Sequence, residues 1–329
     1  MIQHFKNLTQ KANKIVITTH IHPDADGIGS EIALCMALRT LGKEAYCVNE
    51  EELLDRYKYL DPDDVLCGYE SFTKAHPDFE PDLFIVTDTN SLHRIGIKIQ
   101  AVVEKSKDLL FIDHHPCPKE VAAIHCIDTN MAATGELVGK LIESIDVKFT
   151  KEIALALYTS ILIDTSSFRY PTVTANTHLL ISKLMDTGIE PPDAYNKIYG
   201  TKQISYMKLL GIVLSSADSA GKGRIGWMKL TEKDMDAFDV DSEDTHGFVN
   251  HLLILDNIKV AMMFREIGTK VKISMRSAGD IDVGIMAQAL GGGGHDHSAA
   301  TIIDGAIDEV IEETIPKIQL MLEEDSDHS

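Results

Sequence analysis

The feature of the sequence that most constrains the fold is a set of short, continuous apolar runs that end abruptly in polar residues. Residues 109–112 (LLFI) form one such run, and Asp113, His114 and His115 follow it directly. A run of this kind is typical of a strand that is buried on both faces of a parallel sheet. Open α/β sheets place their functional groups at the carboxyl ends of such strands. The sequence therefore predicts an α/β domain with a site at residues 113–115.

Strand and helix patterns alternate along the first half of the chain. We predict strands at residues 14–19, 44–48, 83–87, 109–112 and 124–127. Helices are predicted at residues 26–41, 132–144 and 150–164, with one short helix between residues 50 and 81. This alternation predicts a doubly wound, mostly parallel sheet.

The length of the chain, 329 residues, predicts two domains. Residues 187–192 contain one glycine and two prolines, a composition that favours a linker. We therefore expect a first domain at 1–187, a linker and connector helix at 188–216, and a smaller α/β domain at 217–329. Its mixed sheet is predicted from strands at 224–230, 258–265 and 270–276, with helices at 246–255, 282–290 and 306–323.

Charge and composition exclude several classes of protein. A net charge of −20 argues against a long nucleic-acid groove, which needs a basic stripe, but allows a small anionic substrate that bound metal ions neutralise. No apolar run approaches ~18 residues, and the N-terminus lacks a signal-peptide core, so no membrane association is expected. The five cysteines form no CxxC pair, which predicts reduced thiols in a cytoplasmic protein.

Four polar segments at predicted strand and helix ends share the chemistry of metal ligands. Mixed carboxylates and imidazoles suit Mn²⁺ or Mg²⁺ better than a thiolate-preferring metal. They are too many for one tetrahedral zinc and suit two octahedral ions. A single aspartate is more often a helix cap or turn former than a ligand, but the four segments together predict a two-metal site. The candidate ligands are His20, Asp24 and Asp26 in the first segment, Asp88 in the second, His114 in the third and Asp164 in the fourth.

The four segments resemble the motifs of the DHH phosphoesterase superfamily. The resemblance extends over nearly the whole chain, because residues 272–277 (KISMRS) and 291–295 (GGGGH) resemble a DHHA1 domain. Within the superfamily the chain is most similar to the bacterial group of oligoribonucleases and 3′-phosphoadenosine 5′-phosphate phosphatases. One departure follows the glycines, where Asp296, His297 and Ser298 precede Ala-Ala-Thr and the group usually has Ala-Ala-Gly.

The resemblance implies a role for each matching residue of the first domain. Asp88 is expected to bridge two metals, one of which is held also by His20 and Asp24, the other by Asp26, His114 and Asp164. Asp113 is expected to orient a neighbouring ligand, and His115 to face the substrate phosphate. Arg94 matches a recurrent arginine of the family, although a structural ion pair explains it equally well.

The second domain is expected to bind the substrate. Consecutive glycines let backbone N–H groups approach a phosphate closely, so Gly292, Gly293 and Gly294 are candidates, with the following His295. Arg276, followed by Ser277, can grip a phosphate through two hydrogen bonds and stack on a base. The alternative for the glycines is a flexible turn between a helix and the next strand.

The resemblance also implies an activity. We expect a hydrolysis assisted by two metal ions, in which a water attacks the phosphorus in line, in a cleft between the domains. The expected products are nucleoside 5′-monophosphates from oligonucleotides of a few residues, and AMP and phosphate from 3′-phosphoadenosine 5′-phosphate. The negative charge favours short substrates.

Other functions and partners remain open at this point. The alternatives are a phosphodiesterase for the linear dinucleotides of cyclic dinucleotide turnover and, from a different class, a nucleotide-binding regulator that does not hydrolyse. The complete set of candidate ligands disfavours the regulator. A homodimer is possible by analogy with the family.

Overall fold

The computed structural model of the protein describes residues 1–200, 202–240 and 242–326, without the side chains of residues 243, 295 and 324–326. By its internal contacts the chain divides into two compact units, Met1–Thr201 and Lys202–Ser329. Each unit has its own sheet and its own apolar core.

The first unit is a doubly wound α/β domain. Its strands are β1 (Lys14–Thr18), β2 (Glu44–Asn49), β3 (Leu66–Gly68), β4 (Leu83–Thr87), β5 (Asp108–Asp113) and β6 (Cys126–Ile127). Its helices are α1 (Ile2–Lys11), α2 (Ala25–Thr40), α3 (Tyr69–Ala75), α4 (Ile97–Val103), α5 (Lys119–Ile124), α6 (Thr134–Ser144), α7 (Lys151–Asp164), α8 (Ala175–Met185) and α9 (Pro191–Tyr199). Short 3₁₀ helices cover Asp55–Leu60 and Leu92–Arg94.

All six strands of the first sheet are parallel, in the order β3-β2-β1-β4-β5-β6. Strand order reverses between β1 and β4, which are neighbours in the sheet. In doubly wound sheets the crevice at such a reversal, beyond the carboxyl ends of the strands, is where ligands bind. The predicted parallel sheet is confirmed, and the topology brings the segments after β1, β4 and β5 to one edge.

The strands of this sheet are buried on both faces, as their continuous apolar runs require. Ile15 and Ile17 of β1 lie in a core that includes buried residues of α2, α6 and α7. Val16 faces the opposite side and joins a second core with Phe84 and Val86 of β4. Helices on both faces therefore hold the strand ends in place.

The second unit is a smaller α/β domain with a mixed sheet, as predicted. Its strands are β7 (Asp218–Ala220), β8 (Ile225–Leu230), β9 (Val260–Ile267), β10 (Lys270–Ser277), β11 (Gly293–His295) and β12 (Ser298–Asp304). Its helices are α10 (Ile204–Ser215), α11 (Glu232–Phe238), α12 (Val283–Ala289) and α13 (Ile307–Ser326), with a 3₁₀ segment at Ser242–Ile254. The order is β11-β12-β10-β9-β8-β7, in which β8 and β9 pair in parallel and the other pairs are antiparallel.

The segment between the two sheets differs from the expected linker. Pro191 and Pro192 form the first turn of α9, where the missing N–H groups leave no helical hydrogen bond unmade. The helix ends at Gly200, and α10 begins at Ile204, so two helices replace the single connector. The helix expected at 246–255 is part of the longer 3₁₀ segment.

Two further features concern the helices and the cysteines. None of the helices in the described ranges is both long and apolar enough to cross a membrane. All five cysteines are free thiols. The thiols of Cys35, Cys47 and Cys126 are buried.

Candidate metal centre

The first segment forms a loop between β1 and α2. Asp24 caps α2, and its carboxylate accepts hydrogen bonds from the N–H groups of Asp26 (2.9 Å) and Gly27 (3.3 Å). This fixes the carboxylate at the positive end of the helix. His20 is held through Nδ1, 2.9 Å from the carbonyl oxygen of Ile21, and its Nε2 lies 3.4 Å from Oδ2 of Asp88.

Asp26 is buried and accepts hydrogen bonds from three elements. The N–H groups of Thr134 (2.9 Å) and Gly135 (3.0 Å), which begin α6, donate to its two oxygens. The hydroxyls of Ser160 on α7 (2.5 Å) and Ser30 on α2 (3.3 Å) donate to Oδ1. Burial nevertheless raises the pKa of Asp26 above its usual value. This side chain is therefore held rigidly, yet in a place that disfavours its charge.

Asp88 follows β4 in a left-handed backbone conformation, with φ of +60°. Its N–H donates to the carbonyl of Ile112 (3.0 Å), and the hydroxyl of Thr134 donates to its Oδ1 (3.0 Å). Burial, and next the charges of Asp26 and Asp24, raise the pKa of Asp88 well above its usual range. Strained backbone of this kind concentrates at functional sites.

Asp113 lies at the end of β5 and organises the residues that follow it. Its Oδ1 accepts from the N–H groups of His114 (2.8 Å) and His115 (3.2 Å) and lies 2.5 Å from Nδ1 of His115. Its Oδ2 accepts from the side-chain amide of Asn90 (2.8 Å). Burial acts to raise the pKa of Asp113, but the hydrogen bonds and charge of His115 outweigh it and hold the pKa below its usual value.

His114 joins the third and fourth segments. Its Nδ1 lies 3.1 Å from the carbonyl oxygen of Met131, and its Nε2 lies 3.3 Å from Asp164 and 3.8 Å from Asp26. Burial acts to lower the pKa of His114, but the carboxylates of Asp164 and Asp26 raise it. Asp164 ends α7, and burial raises its pKa to about 8.

These side chains form three overlapping groups that could hold metal ions, and within each group the ligand atoms lie within 4.8 Å of one another. Asp88 belongs to two of the groups, and so does His114. In the part of the chain that the structure describes, the groups are His20–Asp24–Asp88, Asp26–His114–Asp164 and Asp88–His114–His115.

The chemistry of the groups fits divalent cations. His20 and His114 both engage a backbone carbonyl through Nδ1 and turn Nε2 towards carboxylates, which is the usual arrangement of metal-binding histidines. The crowded carboxylates have raised pKa values, because burial and mutual repulsion disfavour their charges. A bound cation would relieve that repulsion.

Three supporting residues were not found from the sequence. Asn90 holds Asp113, Thr134 holds Asp88 and Asp26, and Ser160 holds Asp26. Asn90 stands two residues after Asp88, and Thr134 lies at the start of a predicted helix, which were the available signals. Ser160 carries no such signal, because only the packing of α7 on α2 brings it to Asp26.

In the second unit, Ser277 is buried at the end of β10, where its side chain contacts the loop that follows. Its hydroxyl donates to the carbonyl of Ile281 (2.6 Å) and lies 2.8 Å from Nδ1 of His297. The histidine that departs from the family pattern therefore supports this loop. Arg276 donates from Nη1 to the carbonyl of Met275 (2.8 Å). Substrate binding by Arg276 and Ser277 stays a prediction.

The last two glycines of the run begin β11, whereas Gly291 and Gly292 connect α12 to that strand. The glycines have different reasons to be glycine. A Cβ on Gly292 would lie 2.2 Å from the carbonyl oxygen of Ala300, and one on Gly294 would lie 2.4 Å from Cα of Ala299. These two glycines allow β11 to pack against β12. Nothing lies within 4 Å of a Cβ on Gly293, so packing does not require glycine there. The side chain of His295 lies outside the described residues.

Arg94 lies beside the first segment. Its carbonyl accepts from the N–H of Ile21 (2.6 Å), the residue after His20. The Arg94 side chain is exposed, and the described residues include no carboxylate paired with it. The alternative of a structural ion pair therefore has no support.

Comparison with known proteins identifies the family. Residues 14–161 match the model of the DHH family, N-terminal domain, and residues 228–324 match the DHHA1 domain. The chain is 30% identical to the bifunctional oligoribonuclease and PAP phosphatase NrnA of Thermus thermophilus, over 93% of this chain and 89% of that protein. The chain belongs to the DHH family. It is accordingly a hydrolase of phosphoester bonds.

Two further proteins are similar to this chain over most of its length. The solved structure of an exopolyphosphatase-related protein from Bacteroides fragilis has a TM-score of 0.88 and 29% identity, covering 98% of this chain and 97% of that one. The cyclic-di-AMP phosphodiesterase GdpP of Geobacillus thermodenitrificans is 26% identical over 92% of this chain, which spans 47% of GdpP. The Bacteroides fragilis protein thus shares the fold along nearly the whole chain.

Proposed function

We propose that this chain hydrolyses short oligonucleotides to nucleoside 5′-monophosphates, and 3′-phosphoadenosine 5′-phosphate to AMP and phosphate, with two divalent ions. The observation that carries the proposal is the sharing of Asp88 between two candidate ligand groups. A carboxylate that belongs to two neighbouring ligand groups suits a pair of metal ions better than a single ion. The likeness to NrnA supports both substrates.

The assignment of metal ligands combines these groups with the family resemblance, which adds Asp88 to the group of Asp26, His114 and Asp164. One ion is assigned to His20, Asp24 and Asp88, and the other to Asp26, Asp88, His114 and Asp164. Mn²⁺ fits the mixture of carboxylates and imidazoles best, and Mg²⁺ is the alternative. When bound, such ions stabilise charge on phosphoryl oxygens and lower the pKa of a water.

The chain's own residues orient and stabilise the phosphate. Asn90 holds Asp113, and Asp113 holds His115 through Nδ1. This pairing fixes the plane of the His115 imidazole. We assign to His115 a hydrogen bond from Nε2 to a phosphoryl oxygen, which offsets the charge that develops there.

Binding of the rest of the substrate is assigned to groups in both units. Arg94, at the edge of the first segment, is a cation for a phosphate oxygen. In the second unit, Arg276 and His295 supply polar groups, and the backbone N–H groups of the glycine run can approach a phosphate. Gly293 is the best supported of these assignments, because no packing contact explains a glycine at that position.

A second candidate function comes from the likeness to GdpP. The linear dinucleotide that cyclic dinucleotide turnover releases is itself a short oligonucleotide. A phosphodiesterase specific for it would use the same metal centre and would cleave no longer substrate. A non-hydrolysing regulator is the least supported, because every candidate ligand is present.

The test is hydrolysis of a 5′-labelled series, from the dinucleotide to oligonucleotides several times longer, in the presence of Mn²⁺. The bisphosphorylated nucleotide and cyclic di-AMP are assayed alongside. An Asp113→Ala/His114→Ala variant is the blank, and Asp63→Asn, an exposed aspartate outside the ligand groups, is the matched control.

Three outcomes separate the candidates. Rates that fall once the substrate is longer than a pentanucleotide, together with release of phosphate from the bisphosphate, support the proposal. Cleavage of the linear dinucleotide alone would select the second candidate. Rates that stay flat or rise beyond the pentanucleotide, or equal rates in the blank, would refute the proposal.

A further inference from the structure

One surface of the first unit combines cations and tyrosines beside the metal centre. We call it the tyrosine–cation surface, and it comprises Arg56, Tyr57 and Tyr59 of the 3₁₀ helix Asp55–Leu60, Arg169 after α7, and Tyr195 and Lys197 of α9. Lys197 joins α9 to the 3₁₀ helix, since its amine lies 5.1 Å from the ring centre of Tyr59. Tyr199 joins α9 to the turn after α7, since its hydroxyl lies 3.5 Å from that of Ser167.

The cations of this surface are not neutralised by carboxylates. Within the described ranges, Arg56, Arg169 and Lys197 form no ion pair. The neighbouring Lys58 contrasts with them, because its amine lies 2.7 Å from Asp55. In a chain with 51 acidic and 31 basic residues, three such cations on one surface favour an anionic ligand.

The tyrosines supply flat faces between the cations. The guanidinium of Arg56 lies 4.9 Å from the ring centre of Tyr57. Tyr195 is 48% exposed, and its ring centre lies 4.6 Å from that of Tyr199. Tyr57, Tyr59 and Tyr199 also pack against the apolar core, which explains these three residues in part. Core packing does not explain the exposed ring of Tyr195. Alternating cations and aromatic faces are what single-stranded nucleic acid binds, through its phosphates and its bases.

The surface adjoins the metal centre at two places. Arg169 follows the candidate ligand Asp164 by five residues, and its Nε and Nη2 donate to the carbonyl (2.9 Å) and hydroxyl (2.8 Å) of Ser166. On the other side, the 3₁₀ helix Asp55–Leu60 packs against α2, which carries Asp26, and against α7, which ends at Asp164. A chain cleaved at the metal centre could therefore continue onto the surface.

We infer that the tyrosine–cation surface binds the nucleotides of a single-stranded oligonucleotide that lie beyond the scissile phosphate. The inference rests on the proposed function, and it assigns the preference for substrate length to the first unit. A dinucleotide or the bisphosphorylated nucleotide is too short to use the whole surface. Longer oligonucleotides gain one phosphate contact or one stacked base with each added nucleotide, until the surface ends.

The experiment compares substrates of two lengths in single and combined variants. Arg56→Gln, Tyr195→Ala and Lys197→Gln change exposed side chains, and Arg169 is left intact because it holds the turn beside Asp164. Lys11→Gln is the matched control, because Lys11 is an exposed lysine of α1 outside the surface. The quantity measured is the ratio of kcat/KM for a pentanucleotide to kcat/KM for a dinucleotide.

We expect Tyr195→Ala to lower this ratio about tenfold, the loss of one stacked base, and the combined variant to lower it further. Each cation removed is expected to reduce the salt dependence of log kcat/KM for the pentanucleotide by about 0.7, the value for one phosphate contact on a single strand. Lys11→Gln should keep the wild-type ratio.

A binding measurement makes the inference independent of hydrolysis. Fluorescence anisotropy of a labelled pentanucleotide in EDTA should show affinity in the wild-type protein that the combined variant loses at least about tenfold. An unchanged ratio and unchanged anisotropy in the combined variant would overturn the inference while leaving the proposed function intact. A wild-type protein that cleaves neither substrate would overturn the proposed function, and anisotropy would still decide between binding and no binding at this surface.

Discussion

At the scale of single residues, the position of Asp88 lowers the stability of the metal-free fold but suits a metal ligand. It is buried, its backbone is left-handed, and its charge is opposed by the neighbouring carboxylates of Asp26 and Asp24. A folded group whose pKa is raised in this way binds a proton that the unfolded chain releases, so its charge destabilises the ion-free fold at neutral pH. Its position is therefore explained by the cation that it would hold.

We predict opposite effects of Asp88→Asn on stability and on metal binding. The neutral amide should raise the melting temperature of the metal-free protein, because it removes an opposed buried charge. It should also lower Mn²⁺ affinity and the rate of hydrolysis by more than about a hundredfold. This exceeds the usual effect of replacing a residue that only supports a ligand, because Asp88 is assigned as a ligand itself. Calorimetric titration and thermal unfolding measure the two effects, with Asp63→Asn as control. Undiminished Mn²⁺ affinity would contradict the assignment of Asp88 as a ligand.

Asp82 provides a test of a structural carboxylate away from the metal centre. Its Oδ2 accepts from the N–H groups of Asn13 and Lys14 (both 3.0 Å), and its Oδ1 lies 2.6 Å from the amine of Lys107. The hydrogen bond from Lys107, followed by those from the backbone, holds the pKa of Asp82 far below its usual range. The charged form is therefore favoured in the folded state.

We predict that Asp82→Asn lowers the free energy of unfolding at pH 7 by about 1 kcal/mol, because it weakens hydrogen bonds to a charged group. Since the pKa is depressed on folding, this stabilisation is complete above the ordinary aspartate pKa near 4 and is lost as the pH falls below it. Urea unfolding at several pH values measures the difference between the two proteins. A difference that narrows already between pH 7 and pH 5 would contradict the assignment.

At the scale of elements, the metal centre depends on how closely α6 and α7 approach α2. A Cβ on Gly135 of α6 would lie 1.9 Å from the hydroxyl of Ser160 on α7, and that hydroxyl donates to Asp26 on α2. The first N–H groups of α6 also point at Asp26. Helix packing and ligand support are thus provided by the same residues.

We predict that Gly135→Ala lowers the free energy of unfolding by about 1–3 kcal/mol, the usual effect of overpacking, and weakens Mn²⁺ binding as Ser160 shifts. Gly211→Ala in α10 is the matched control, because nothing lies within 4 Å of its Cβ. The control should stabilise the protein by up to about 1 kcal/mol, the helix propensity of alanine over glycine. Equal effects of the two substitutions in urea unfolding would contradict this account.

At the scale of the whole molecule, the metal centre and the single tryptophan belong to different units. All candidate ligands lie in the first unit, whereas Trp227 lies in β8 of the second and packs 6.3 Å from the ring of Phe264. Each unit has its own core. Tryptophan fluorescence therefore reports on the unfolding of the second unit, and circular dichroism reports on both.

We predict that Mn²⁺ stabilises the first unit selectively. At a concentration a hundred times its dissociation constant, an ion that binds only the folded state adds about 2.7 kcal/mol to the free energy of unfolding. Addition of Mn²⁺ should raise the unfolding temperature seen by circular dichroism, and EDTA should reverse the rise. The transition seen by Trp227 fluorescence should stay in place. An equal rise in both signals would show that the two units unfold together.

The sequence alone determined the parallel sheet, the mixed second sheet and the four segments with candidate ligands. It could do so because these signals are local: an apolar run buried on both faces, a polar residue where the run ends, and a helix that begins after it. The motif resemblance then led to the DHH family, which the comparisons confirm.

Only the tertiary structure decided what surrounds those ligands. Asn90, Thr134 and Ser160 reach the site because distant elements pack together, and no spacing along the chain records that packing. The structure also changed the interpretation of two local signals, since Pro191 begins a helix and the last two glycines of the run begin a strand. A proline suits both the first turn of a helix and a linker, and a glycine suits both a closely paired strand and a loop. Only the residues that lie nearby in space decide between the two structures.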